Sequence, residues 1–249
     1  MTFAVGSSIL IFNGSANVFF QNPGRAVVNG ASFLAGKSPA GSVFSIFGTA
    51  LATQIGGAVN VPLPTSVLTT SVTVNGELAP LFYVSPTQIN AQMPEDIQPG
   101  IATVVVTNGS STSNAVAVTI PSTGTPGIFV YNTNRAVVIN ADGSTNSSTA
   151  PAKVGDVLVA YFTGGGPVNA SGNLVTGTPA PSGFSTVTGM NSVKLNGVSA
   201  VVNYMGLTPG SIGLYQANFV VPTVAAGDKQ LVITIAGQAS NLPLVTISN

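Results

Sequence analysis

The sequence contains neither cysteine nor histidine among its 249 residues. Without cysteine there are no disulfides, so cysteine usage says nothing about the compartment in which the protein works. Without histidine, Ser-His catalytic arrangements, histidine metal sites and the usual general base near neutral pH are all excluded. The sequence therefore predicts a protein that is not an enzyme, with no cofactor and no metal site.

Charged residues are also scarce. There are six basic and six acidic residues, 5% of the chain, against a typical share of about 25%. A net charge of zero removes the repulsion that keeps proteins apart, and so favours association. Six dispersed cations cannot neutralise a track of phosphates, which excludes nucleic acid as a partner.

Long apolar runs are missing too. The run at 157–162 is too short to cross a bilayer, and Ile9–Phe12 is too short for the apolar core of a signal peptide. We therefore expect no membrane span.

The sequence does contain an internal repeat. Its length of about 100 residues is too long for a solenoid unit and suits a duplicated domain. The matching segments are Ser71–Gly76 with Ser192–Gly197, Gln88–Asn90 with Gln216–Asn218, and the pair Ser113 and Asn114 with the pair Ser240 and Asn241.

Short β-branched or aromatic runs fill the chain, and Asn-Gly or Asp-Gly dipeptides separate many of them. Alternating short strands with frequent tight turns are typical of antiparallel sandwiches. We predict an all-β protein of two tandem Ig-like antiparallel β-sandwiches with an N-terminal extension strand. The predicted boundaries are 1–24 for the extension, 25–122 for the first sandwich and 123–249 for the second.

Several segments carry a family resemblance, among them Val27–Phe33, Gly41–Gly48, Ala79–Pro86, Pro126–Phe129 and Gly213–Phe219. Together they resemble the Solibacter-type uncharacterised C-terminal domain family over about residues 26 to 248. The resemblance implies an exported pair of Ig-like, IPT/TIG-like sandwiches with no assigned activity and no catalytic residues to transfer.

The N-terminal extension lies outside both repeats, and its apolar residues alternate as on a strand. One interpretation is that it pairs with its own first sandwich. The other is that it adds to the open sheet edge of a neighbouring subunit, where repeated head-to-tail contacts generate a fibre. The residues predicted to form this subunit interface are Phe3, Val5, Ile9, Leu10, Ile11, Phe12, Val18, Phe19 and Phe20.

Three further groups of residues are candidates for ligands or modification. Asn13, Asn108, Asn146 and Asn169 each begin an N-glycosylation sequon. The hard oxygens around Asp142–Asn146 suit either a calcium ion or a self-bonded turn. Aromatic residues in strands form either core or a carbohydrate-stacking platform: Phe82, Tyr83, Tyr161, Phe162, Tyr204, Tyr215 and Phe219.

These observations predict an extracellular or cell-surface structural protein. The leading hypothesis is self-assembly into a filament or surface polymer, with other copies of the chain as partners. The alternative is a monomeric module that binds polysaccharide or the cell envelope, with glycans as partners.

Overall fold

The computed structural model describes residues 19–20 and 25–248. These residues form 26 β-strands and no α-helix, which confirms the predicted all-β, Ig-like sandwich fold. The described part of the chain has no helix that would be long and apolar enough to span a membrane.

We call the two sandwiches the first module, strands β1 to β12, and the second module, strands β13 to β26. The first module contains two antiparallel sheets. Strand β3 is central to one, in the order β1-β3-β9-β8-β4 with β2 also on β3, and β10 is central to the other, where it joins β6, β11 and β12. The strands are β1 Phe19–Phe20, β2 Val27–Asn29, β3 Val43–Thr49, β4 Gly56–Gly57, β5 Ser66–Val67, β6 Thr70–Val74, β7 Glu77–Leu78, β8 Leu81–Val84, β9 Gln88–Gln92, β10 Gly100–Asn108, β11 Ser111–Thr112 and β12 Val116–Ile120.

The second module repeats this plan with longer shared strands. Strand β22 pairs with β23 in one layer and with β21 in the other, and β24 pairs with both β21 and β26. The strands are β13 Gly127–Ile128, β14 Val130–Tyr131, β15 Arg135–Ala136, β16 Val138–Ile139, β17 Ala152–Lys153, β18 Val157–Thr163, β19 Val168–Asn169, β20 Ser185–Val187, β21 Asn191–Leu195, β22 Val198–Leu207, β23 Tyr215–Val220, β24 Gly227–Ile235, β25 Gln238–Ala239 and β26 Leu244–Ser248.

Each module has its own hydrophobic core. Strand β23 shows how the sequence builds it, because Tyr215, Ala217 and Phe219 are buried while Gln216 and Asn218 are half-buried on the other side. This period of two places one set of side chains in the core and leaves the other set on the outer face of the sheet.

The repeated dipeptides make the same local structures in both modules. The turn residues Asn75 and Asn196 have φ of 52° and 48°, and each is followed by a glycine of positive φ that closes a two-residue hairpin. Ser113 and Ser240 each accept a main-chain N–H of the preceding strand, at 3.0 and 3.1 Å, and donate to the next residue's carbonyl at 2.7 Å. The repeated residues therefore form the same turns and the same hydrogen bonds at strand ends in both modules.

The described part of the N-terminal extension, β1, pairs with its own module. Phe19 lies opposite Thr49 and Phe20 opposite Gly48 on β3. In the second module, β13 occupies the matching position on β18, with Ile128 opposite Phe162. The main-chain pairing of Phe19 and Phe20 is thus within the chain. For these two residues it agrees with the interpretation that the extension pairs with its own first sandwich, and it differs from the predicted pairing with a neighbouring subunit. The other predicted interface residues, Phe3 to Val18, lie outside the described residues.

Candidate functional site

The outer face of the first module's β3-β9-β8 sheet carries a row of aromatic and amide side chains. Phe47 on β3 lies opposite Gln88 on β9. Asn90, two residues further on, lies opposite Tyr83 on β8. Gln88 Nε2 donates to Asn90 Oδ1 at 2.9 Å, and Ser45 Oγ donates to the same oxygen at 2.9 Å. We call Phe47, Gln88, Asn90 and Tyr83 the first row.

The second module repeats this arrangement at matching strand positions. Tyr161 on β18 lies opposite Gln216 on β23, and Tyr204 on β22 lies opposite Asn218. Gln216 Nε2 donates to Asn218 Oδ1 at 3.0 Å. We call Tyr161, Gln216, Asn218 and Tyr204 the second row.

A β-bulge aims the tyrosine in both rows. The register shifts between Leu81 and Tyr83 in the first module and between Val202 and Tyr204 in the second. Bulges bend a strand and redirect a side chain, and they are common beside functional sites. The duplication of the bulge with the row indicates that the tyrosine's direction matters in both modules.

A further aromatic ring packs against each row, at opposite ends. The ring centroids of Phe33 and Phe47 are 5.9 Å apart, and those of Phe184 and Tyr204 are 4.9 Å apart. Phe184 is 70% exposed, so its ring extends the aromatic surface of the second row. The Tyr204 hydroxyl donates to Leu207 O at 2.7 Å, which fixes the ring that Phe184 covers.

An apolar groove adjoins the second row at the end nearest the first module. Its volume is about 320 Å³, and its lining residues are Phe129, Val130, Val137, Tyr161 and Leu214. Because Tyr161 belongs to both the groove and the row, apolar and hydrogen-bonding surfaces meet there.

The amides of both rows retain hydrogen-bonding capacity. The Gln-Asn bond uses one amide hydrogen of the glutamine and one oxygen of the asparagine. Among the described residues, none bonds to the remaining groups, the glutamine Oε1 and the asparagine Nδ2. A ligand with hydroxyl groups matches these free acceptors and donors.

The aromatic residues singled out from the sequence divide into two sets. Tyr83, Tyr161 and Tyr204 lie in the rows and Phe82 is half-buried next to Tyr83, whereas Phe162, Tyr215 and Phe219 are buried in the second core. Sequence reasoning missed these site residues: Phe47, Gln88, Asn90, Phe129, Phe184, Gln216 and Asn218. The repeated Gln-x-Asn was a signal for the four amides, but it appeared only as part of the repeat.

The sequon asparagines differ in accessibility. Asn146 is buried, and its Nδ2 donates to Asn140 Oδ1 and Thr246 O, both at 3.0 Å. A glycan on that nitrogen would displace these bonds, so glycosylation at Asn146 stays a prediction that the folded structure disfavours. Asn108 is half-buried with Nδ2 donating to Ala50 O at 3.0 Å, Asn169 is exposed, and Asn13 lies outside the described residues.

The loop that contains Asp142 is a turn held by hydrogen bonds between its own residues. Asp142 Oδ1 accepts hydrogen bonds from the Ser144 main-chain N at 2.9 Å and from Ser144 Oγ at 2.6 Å, and these bonds lower the pKa of Asp142. Across the described residues, no three histidine, cysteine, aspartate or glutamate side chains converge on a metal position.

The junction between the modules is polar and specific. The main-chain N of Glu95 donates to Thr176 Oγ1 at 3.0 Å, and Glu95 Oε1 accepts from Gln92 Nε2 at 2.9 Å. Gln92 Oε1 in turn accepts from Gly177 N at 2.7 Å. Burial, and then the charge of neighbouring Asp96, raise the pKa of Glu95 to about 7. A titratable carboxyl therefore lies where the loop at 176–177 meets the first module.

No curated protein matches the chain. Solved structures similar to it include SGBP-B of the Bacteroides ovatus mixed-linkage glucan utilization locus in complex with a mixed-linkage heptasaccharide (13% identity, 85% of this chain, 43% of that chain, TM-score 0.32). Others are SGBP-B from a Bacteroides uniformis xyloglucan utilization locus (13% identity, 92% and 49%, TM-score 0.29) and domains 5-6 of the S-layer protein SbsC (14% identity, 90% and 96%, TM-score 0.29). The chain spans less than half the length of the two Bacteroides proteins. In sequence, the first module is similar to the IPT/TIG domain family, whose model matches residues 26–120.

Proposed function

We propose that this protein is a non-enzymatic, extracellular or cell-surface module that binds neutral polysaccharide on the outer faces of its two sandwiches. The observation that carries the proposal is the duplicated row, in which an aromatic ring, a bonded Gln-Asn pair and a bulge-directed tyrosine recur at matching positions.

The chemistry of the rows suits a sugar ring. A pyranose has apolar C–H faces and a rim of hydroxyl groups, so it stacks on aromatic rings while its hydroxyls exchange hydrogen bonds with amides. Tyrosine supplies a rigid ring with one polar end, and each amide provides both donors and acceptors. The largely apolar lining of the groove beside Tyr161 adds stacking area.

The charge of the rows selects for neutral ligands. Neither row contains an ionisable residue other than tyrosine, and the whole chain has six cations against six anions. A uronic acid or sulfated polymer would find no positive surface to offset the loss of its hydration. Neutral polysaccharide remains as the matching class.

Affinity electrophoresis in gels containing a neutral polysaccharide tests the proposal. The panel consists of β-glucan, xyloglucan, mannan and arabinan, with polygalacturonate as the charged polymer. We expect at least one neutral polymer to retard the wild-type protein and polygalacturonate to leave its mobility unchanged. The paired variant Gln88→Ala with Gln216→Ala should restore free mobility.

Met190→Ala is the matched control, because Met190 is 90% exposed and lies outside both rows. Its retardation should equal that of the wild type. If every neutral polymer fails to retard the protein, or if the paired glutamine variant is still retarded, polysaccharide binding by these rows is wrong.

Two finer assignments belong with this proposal. We assign the chain to the Solibacter-type uncharacterised C-terminal domain family on the motifs described above, of which the IPT/TIG match supports the Ig-like part. The extracellular or cell-surface location follows from the same resemblance and from a ligand class that is found outside cells.

Self-assembly through the N-terminal segment is the second hypothesis. It is favoured by the net charge of zero on a chain with only twelve ionic side chains, and for Phe3 to Val18 it stays a prediction. Negative-stain micrographs of concentrated protein test it. Filaments that disappear when residues 1–18 are deleted would support it, and separate particles at all concentrations would contradict it.

A further inference from the structure

The contacts at the junction fix how the two rows lie relative to each other. On one side of the junction, Asn29 at the end of β2 donates from Nδ2 to Thr125 O at 3.3 Å, just before β13. In the middle, Val43 N at the start of β3 donates to Thr163 Oγ1 at the end of β18 at 2.9 Å. On the other side, Gln92 at the end of β9 accepts from Gly177, in the loop that leads to β20.

The strand order across the junction is therefore the same in both modules. The first module runs β2, β3, β9 and β8, and the second runs β13, β18, β23 and β22, with β20 beyond β22. By register β13 matches β1, but β1 and β2 both lie along the edge of β3 that faces away from β9, so the contact of Asn29 on β2 still joins corresponding edges of the two sheets. The lateral order of the two sheets is parallel rather than reversed.

Strand direction is also the same. Strand β18 ends at the junction with Thr163, and β3 begins there with Val43, so both run along the molecule in one direction. Lateral order and strand direction together determine which way a face of a sheet looks. With both preserved, the outer faces of the two modules look to the same side of the molecule.

The spacing of the rows follows from the strands. Phe47 is four residues beyond Val43, and Tyr161 is two residues before Thr163. At about 3.3 Å per residue, and with the two strands joined end to end, the rings of the two rows are about 25 Å apart along the strand direction.

We infer that the two rows bind one extended neutral polysaccharide chain that runs along the strand direction across both modules. This inference rests on the proposed function. The ligand class it names is a long polymer, recognised along its length, because a short oligosaccharide cannot reach from Phe47 to Tyr161.

The junction supports this use because it fixes the spacing. Thr163 Oγ1 accepts from Val43 N and donates to Gly213 O at 2.8 Å, and Thr163 is fully buried. Asn29, Gln92 and Glu95 add contacts on either side. Two binding rows held at a fixed distance make the second contact intramolecular, which raises the affinity for a spanning ligand by about 100-fold or more.

Isothermal titration calorimetry with size-fractionated oligosaccharides tests this inference. The probes are a trisaccharide and a decasaccharide, prepared from whichever neutral polysaccharide of the panel retards the protein. For the wild type we expect the decasaccharide to bind about 100-fold more tightly than the trisaccharide. We also expect a stoichiometry of one decasaccharide, but two trisaccharides, per protein.

Phe47→Ala and Tyr161→Ala are the matched single-row variants, since the two residues occupy equivalent positions. Each should reduce the affinity for the decasaccharide to nearly that for the trisaccharide, with Met190→Ala as the unaffected control. The stoichiometry of the wild type needs no variant, so the test stands even if a variant misfolds.

The outcomes separate the two claims. Binding of two decasaccharides per protein, or equal affinities for both probes, would overturn the spanning inference and leave polysaccharide binding intact. Absence of binding to every polysaccharide of the panel would overturn the proposed function itself.

Discussion

At the scale of single residues, Glu95 is the most unusual group in the chain. It is one of only twelve charged residues, and it lies at the module junction with its carboxylate accepting a hydrogen bond from Gln92. A Cβ at Gly41 would lie 2.4 Å from Glu95 Oε2, and Gly41 has a φ of 72°, so the loop before β3 favours glycine where its backbone approaches the carboxyl. Burial without a cation makes the neutral acid the favoured form.

Glu95 should make stability depend on pH. Its pKa in the folded protein, about 7, lies above the ordinary 4.5, so the folded state binds the proton more tightly than the unfolded state. The associated stability is complete below about pH 4.5 and is lost as the pH rises through 7. Glu95→Gln should therefore unfold less readily than the wild type at pH 8, by about 2 kcal/mol, with the difference much smaller at pH 5 and vanishing below about pH 4.5.

Urea denaturation at pH 5 and pH 8 measures this. Asp156→Asn is the control, because Asp156 is half-buried in the second module and asparagine can still accept the hydrogen bond from Lys153 N; it should show no such gain at pH 8. Equal unfolding free energies of Glu95→Gln and wild type at pH 8 would show that burial does not raise the pKa of Glu95.

The environment of Glu95 could not be predicted from the sequence. In the sequence Glu95 is only one of two adjacent carboxylates, and nothing near it indicates burial, because Thr176, which contacts Glu95, is 81 positions away along the chain. The same limit applies to the rows. The repeat predicted that Gln88 and Gln216 are equivalent, but only the strand register places Phe47 and Tyr161 opposite them.

At the scale of elements, the sequence predicted tight turns well, because a turn depends on the residues within it. The Asn-Gly dipeptides predicted hairpins, and the structure contains them at Asn75 and Asn196 because these residues tolerate positive φ. The first strand of each module was harder to predict. Strands β1 and β13 are two residues long, so neither shows a periodic pattern in the sequence. For β1, pairing with β3 of the same chain could therefore not be distinguished from pairing with another subunit.

The side chain of Asn241 holds strand β13 in place. Its Oδ1 accepts from Ile128 N at 2.8 Å and its Nδ2 donates to Ile128 O at 3.0 Å. Because Ile128 is fully buried, Asn241→Ala leaves a main-chain donor and acceptor without partners. We expect a loss of about 2 kcal/mol in the free energy of unfolding.

Chemical denaturation of Asn241→Ala measures that loss. Leu242→Ala, at the next position and 46% exposed, is the control and should change stability far less. A loss for Asn241→Ala no larger than that for Leu242→Ala would contradict the role of the asparagine as a clamp.

At the scale of the whole molecule, the junction decides whether the two modules act as one body. Each has a separate core, and separate cores unfold independently unless their interface couples them. The coupling here is made of directed hydrogen bonds, among them the bond from Val43 N to the fully buried Thr163 and the buried bond from Gly177 N to Gln92. A tandem that binds one polymer along both rows requires this coupling, because a flexible joint would lose the fixed spacing between Phe47 and Tyr161.

Thr163→Val tests the coupling directly. Valine has nearly the same shape but cannot accept from Val43 N or donate to Gly213 O, so the variant leaves both groups unpaired at a cost of about 1–3 kcal/mol. The unpaired Val43 N belongs to the first module and the unpaired Gly213 O to the second, so the cost falls on both sides of the joint. In differential scanning calorimetry we expect the single transition of the wild type to separate into two in the variant, whereas Thr186→Val, on the exposed side of β20, should keep one. Two transitions already present in the wild type, or one transition in Thr163→Val at an unchanged temperature, would mean that the modules are joined without being coupled, and the spacing of the rows would then vary with the angle between them.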